Sequence, residues 1–151
     1  MSRANVRIVP WQPPEALPAW LYAADLLLIP ASAAPLERFG TCVLPMKTFL
    51  YLAAGRPILA AVPAGDAREL VATSPVARLC APTDARAMAE HVAAELAHVE
   101  RHGRRPDAWP HGIERYERGA LAVELADVLD RFVTRGESRR APRGPVLRLV
   151  S

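Results

Sequence analysis

The chain has 151 residues, 51% apolar and 23% charged, which excludes a wholly disordered polymer and fits one domain able to bury a sizeable core. Its formal charge is +3, but residues 135–151 carry five Arg and one Glu, a local +4, and subtracting +4 from +3 leaves −1 for the rest. The basic bias therefore belongs to a tail, and no aromatic-rich basic surface or nucleic-acid motif accompanies it.

In chain order, Val6 to Val9, closed by Pro10, reads as a first strand. Pro13 and Pro14 mark a loop, and Glu15 to Ala24 reads as a short helix carrying Leu17, Trp20 and Leu21, with Pro18 tolerable in its first turn. Leu26 to Ile29 is a continuous apolar run stopped by Pro30, the pattern of a buried parallel strand. Ala31 to Leu44 is small and polar, a long loop. The next helix has Pro45 at its first position, an apolar stripe of Phe49, Leu52 and Ala53, Gly55 as its C-terminal cap and Pro57 beyond. Ile58 to Val62 is the third strand. Asp66 with Glu69 gives a capping-box-like start to a helix through Ala72. Val76 to Cys80 is a fourth strand, and Thr83 caps a helix with Met88, Val92, Leu96 and Val99 at helical spacing. Gly103 to Pro110 reads as a linker, and Gly112 to Thr134 as a final helix with Leu121, Leu125, Val128 and Phe132 on one side.

Apolar strands alternating with helices give an α/β class: a partial Rossmann-like parallel sheet with helices on both faces, over residues 1–134, followed by a basic flexible tail, 135–151. No run approaches the roughly 18 apolar residues of a membrane-spanning helix. Cys42 and Cys80 have no metal-binding or paired spacing, so a reducing, cytoplasmic setting is expected. His98 and His102 share a helix face without a third ligand, so no metal site is expected.

In open α/β sheets ligands bind beyond the carboxyl ends of the strands. The candidate there is the loop holding Glu37, Arg38, Phe39, Gly40 and Thr41, with Lys47 in the first turn of the helix behind it. A helix start offers free N–H groups and partial positive charge, which suit a phosphate, and a lysine adds a compact cation. The chain holds 18 Arg and a single Lys, so Lys47 departs from its compositional habit.

The phrases ADLLLIP (Ala24–Pro30), ERFG (Glu37–Gly40) and PMKTFLYLAAGRPILA (Pro45–Ala60) resemble retaining GT-B glycosyltransferases, as do Val6–Trp11 and CAPTD (Cys80–Asp84) in order, over roughly Asn5 to Val133. The resemblance implies the C-terminal, donor-binding half of that fold. It implies binding of a nucleotide diphosphate sugar as donor substrate, with no separate cofactor, and transfer to a glycan or lipid-linked acceptor. By the same resemblance, Lys47 with the backbone of Val43 and Leu44 lies near the diphosphate, and Glu37, Phe39, Gly40 and Thr41 near the sugar. Trp11 and Gln12 lie near the nucleobase, although Trp11 also reads as a lid on the sheet edge.

No catalytic residue is expected in this chain, and a separate N-terminal GT-B domain is an expected partner. Peripheral contact with the inner face of a membrane is compatible with the resemblance. Leu50 stands where many members carry a ribose-binding Glu, and eight positions past Glu37 lies Pro45 rather than a second Glu. The acceptor domain and the glycine-rich opening of the donor domain have no counterpart in these residues, so transfer by this chain alone is not expected. The rival readings are a non-catalytic interaction module docking on a partner that carries the missing domain, and a generic flavodoxin-like nucleotide-binding domain.

Overall fold

The computed structural model describes residues 6–31 and 44–137, with side chains through residue 133. The chain divides after Ile113 into two compact units. The first is built on three parallel strands, β1 (Leu27–Pro30), β2 (Ile58–Ala61) and β3 (Ala77–Cys80), which lie side by side in chain order. Leu27, Ile58 and Ala77 are aligned across the sheet, as are Pro30, Ala61 and Cys80.

Helix α1 (Leu17–Ala23), preceded by a 3-10 turn at Pro14–Ala16, leads into β1. Helix α2 (Met46–Ala54) connects β1 to β2, and α3 (Asp66–Ala72) connects β2 to β3. Side chains alternate across a strand, so each sheet face has its own core. Leu27, Ile29, Ile58 and Ala60 pack with Leu21, Leu52, Ala54 and Val71, which places α1, α2 and α3 on one face. Both crossovers therefore run over the same face in the same direction and share one hand, as parallel connections require. Leu59, Ala61 and Cys80 face the other way, against Ala87 and Met88 of α4 (Ala85–His102).

Only the central strand is buried at every position. Helix α4 packs on β2 and β3, and Leu28 of β1 on that face is 48% exposed. Cys80 is a free, buried cysteine. Burial pushes its thiol pKa up, Asp84 adds to this, and Arg68 partly offsets it.

The expected strand at Val6 to Val9 does not form. Ile8 is 90% exposed and Val6 58%, so the run buries too little to offset the ordering of its backbone. The fourth strand of the sequence pattern is β3, and the sheet has three strands among the described residues.

Several boundaries move by one residue for local reasons. Pro45 is the cap of α2 rather than its first helical residue, while Gly55 takes the expected left-handed C-cap conformation (φ 65°). The apolar stripe of α2 also turns: Thr48, Leu52 and Ala54 are buried, Phe49 is half-buried and Ala53 is exposed. Helix α3 is capped by Gly65 at φ 137° and ψ −173°, a conformation open essentially to glycine, and Asp66 makes no capping bond. Asp84, not Thr83, caps α4 by accepting the Ala87 N–H at 2.9 Å. Within α4, Val92 and Leu96 are exposed, whereas Glu95 is turned inward to receive Arg105 through both carboxylate oxygens at 2.9 Å.

The second unit holds the amphipathic helix α5 (Arg118–Glu137). Leu121, Leu125, Val128 and Phe132 are exposed along it. Among the described residues no helix is long and apolar enough to cross a membrane. Residues 138–151 of the basic tail lie outside the described residues.

Candidate functional site

Helix α2 runs antiparallel to the strands, so its first turn stands at the carboxyl end of the sheet, next to the exit of β1. That exit is held by Ala31, whose N–H donates to Ala61 O at 3.0 Å. The first turn of α2 is closed by the Thr48 N–H donating to Pro45 O at 2.9 Å. Pro45 has no side-chain donor or acceptor, so the cap residue leaves the N–H groups of Met46 and Lys47 pointing out of the helix start without a capping side chain. Leu44 and Pro45 are half-buried beside them.

Lys47 is half-buried and joins no ion pair among the described residues. Its position is electrostatically costly, since a cation at a helix start opposes the macrodipole. Thr48, one residue on, is fully buried, and its hydroxyl has no hydrogen-bond partner among the described residues. A buried hydroxyl without a partner costs of order 1–3 kcal/mol. Among the described residues, two N–H groups without a side-chain cap, a cation and an unpartnered hydroxyl thus share one helical turn. Such a turn can bind an anion; it contains no nucleophile or acid–base pair.

Glu37, Phe39, Gly40, Thr41 and Val43 lie outside the described residues. Of the remaining expected site residues, Leu44 and Lys47 are brought together at the α2 start. Trp11 is 82% exposed on an extended segment, and the Gln12 side-chain amide donates to Pro10 O at 3.2 Å, a local bond. No hydrogen bond or ion pair among the described residues links either one to Lys47.

Arg68, which the sequence reading did not single out, stands at the same end of the sheet. Its Nη1 donates to Val62 O and Cys80 O, each at 3.1 Å, and so ties together the exits of β2 and β3. The available signal was an arginine in the first turn of a helix, where the dipole disfavours it.

The amino end of the sheet is the more elaborately bonded. Arg56, 4% exposed, donates from Nε to Ala24 O at 3.0 Å and from Nη1 to Arg105 O and Asp107 Oδ1 at 2.9 Å each. Arg104 donates to Asp25 Oδ1 and Ala24 O at 2.9 and 2.8 Å, and also to Tyr22 O. A cavity of about 100 Å³ opens nearby, lined by Leu26, Pro57, Leu59, His91, Glu95 and Arg105 among others, with room for only a few waters.

The rings of His98 and His102 meet at a tilt of 45° with centroids 5.1 Å apart. Partial desolvation, then Arg105, His102 and Arg101, lower the His98 pKa, with Glu95 opposing. Among the described residues no group of three or more His, Cys, Asp or Glu side chains is placed to hold a metal ion.

No protein family, curated protein or solved structure matches the chain.

Proposed function

We propose that the chain is the donor-binding part of a retaining GT-B glycosyltransferase, which moves a sugar from a nucleotide diphosphate sugar to a glycan or lipid-linked acceptor. The observation that carries this reading is the start of α2: uncapped N–H groups, half-buried Lys47 and the unpartnered Thr48 hydroxyl at the carboxyl end of a parallel sheet. The resemblance of Ala24–Pro30 and Pro45–Ala60 to that family supports it. Three neighbouring strands in chain order support it further, since one half of a doubly wound sheet is built that way.

In this reading the α2 start and Lys47 stabilise the negative charge that grows on the leaving diphosphate, and this chain contributes electrostatics rather than a base. Leu50, one turn along and 42% exposed, offers the ribose an apolar surface in place of a carboxylate. The acceptor would be held by a separate N-terminal domain, at the inner face of a membrane or in the cytoplasm.

Titration calorimetry with uridine and guanosine diphosphates tests the central claim. Lys47→Ala is expected to weaken binding about tenfold or more, about 1.4 kcal/mol. Equal affinity of the two proteins would overturn it. A bound nucleotide at 100 times its dissociation constant is expected to stabilise the fold by about 2.7 kcal/mol.

A second reading, a non-catalytic module that docks on a partner, is favoured by one observation: β1 is an edge strand whose Leu28 lies bare. It expects no nucleotide binding. It also expects a Leu28→Lys variant to lose the partner while the Lys47→Ala variant keeps it.

A further inference from the structure

We infer that residues 104–109 are a strap that positions the anion-binding start of α2 from its far end, which makes Arg56 and Trp109 positioning residues for Lys47. The inference rests on the reading of that helix start as the diphosphate site.

A nine-residue helix is too short to persist on its own, so its geometry is set by what holds its two ends. The last carbonyls of a helix need outside donors, and the strap supplies them. The Trp109 indole N–H donates to Ala53 O and the Ala108 N–H to Gly55 O, both at 2.9 Å. The same indole sits against Gly55, where a Cβ would come within 2.7 Å of the ring. Buried Arg56 then locks the strap by Arg105 O and Asp107 Oδ1 while holding Ala24 O at the end of α1. Arg104 repeats this link to Tyr22, Ala24 and Asp25.

Every one of these bonds falls at the amino end of the sheet, a helix length of about 13 Å from Lys47. A rigid helix transmits a shift at one end to the other. Fixing the C-terminus of α2 therefore fixes the direction of its orphan N–H groups and of Lys47. Binding at one end and strap docking at the other both select the same ordered helix, so by linkage each must favour the other.

The test is amide exchange on the full chain with two variants, Trp109→Ala and the milder Asp107→Asn, each read with and without uridine diphosphate. Exchange of the α2 amides should accelerate about tenfold in Trp109→Ala and less in Asp107→Asn, with the amides of β2 unchanged. Uridine diphosphate should bind Trp109→Ala about tenfold more weakly and, in the wild type, slow exchange of the Ala108 amide. Trp109→Phe, which keeps the ring on Gly55 but lacks the N–H, should recover part of the affinity.

Unchanged α2 exchange, or acceleration of α2 and β2 together, would overturn the strap as a positioning device. If Trp109→Ala does not fold, the same comparison in Asp107→Asn decides. Failure of the wild type to bind uridine diphosphate would remove the diphosphate reading instead, and the exchange comparison would still decide the strap.

Discussion

The two ends of the sheet treat cations in opposite ways. At the amino end Arg56, Arg104 and Arg105 are all engaged, through main-chain carbonyls, Asp25, Glu95 and Asp107, with Arg56 Nη2 lacking a partner among the described residues. At the carboxyl end Lys47 joins no ion pair among the described residues, and the hydroxyl beside it has no partner there either. Arginine's planar fork suits several fixed acceptors at once, whereas an ammonium is a rotatable point charge. The contrast separates charge that builds the fold from charge left over for a ligand, and the single lysine falls on the second side.

The sharpest way to break this contrast is Arg56→Ala, which removes a buried guanidinium, takes the donor from Arg105 O and Asp107, and leaves Ala24 O to Arg104 alone. It is expected to cost about 3 kcal/mol in denaturant unfolding. Gly55→Ala attacks the same end through shape. Its φ of 65° and the rigid indole 2.7 Å from the new Cβ predict a loss of about 2 kcal/mol.

Lys47→Ala should leave stability within about 0.5 kcal/mol, measured by the same unfolding curves. Were it to destabilise as much as Arg56→Ala, the division between the two ends would collapse. Asp84→Ala removes the cap of α4 at the carboxyl end and should cost about 1 kcal/mol, since the Ala87 N–H loses its acceptor.

The smallest expected effect is on pH dependence. His98 is harder to protonate in the fold, through partial desolvation and the charges of Arg105, His102 and Arg101. The unfolded chain therefore takes up the proton first as pH falls. The contribution is present above the ordinary histidine range and lost on acidification through it, from about pH 7 to about pH 5. His98→Gln should flatten the stability profile across that window, and an unchanged slope would remove the effect.

What the sequence made legible follows from locality. Leu27 to Ile29 and Ile58 to Ala61 are apolar runs with a proline at one flank, and α2 is bounded by Pro45 and Gly55, so two strands and the site-bearing helix could be read directly. Val6 to Val9 carries the same local signal, but a strand needs a neighbour, and no residue within a short window reports one.

The strap is the reverse case. Its Gly, Pro and polar composition reads as a linker, while its bonds reach residues 49 to 82 positions away. Arg56 was hidden by a sound expectation, since arginines are almost never fully buried unless paired. On α4 the helical spacing marks Val92 and Leu96, whereas the inward position of Glu95 depends on Arg105, ten residues away. Of the site, Lys47 could be singled out because its rarity is a property of composition, whereas Arg68 earns its place only through carbonyls contributed by two different strands.

Cys80 turns the burial of β3 into a clock. Alkylating reagents react with thiolate, and this thiol is both covered and held in its protonated form. In a chain whose Cys42 is replaced by Ser, the rate of labelling then reports how often α4 lifts Ala87 and Met88 from the Leu59, Ala61 and Cys80 surface. Where the reagent outpaces reclosure each modification event marks one excursion of the native fold, so a packing contact described only by its neighbours becomes one whose opening frequency can be counted.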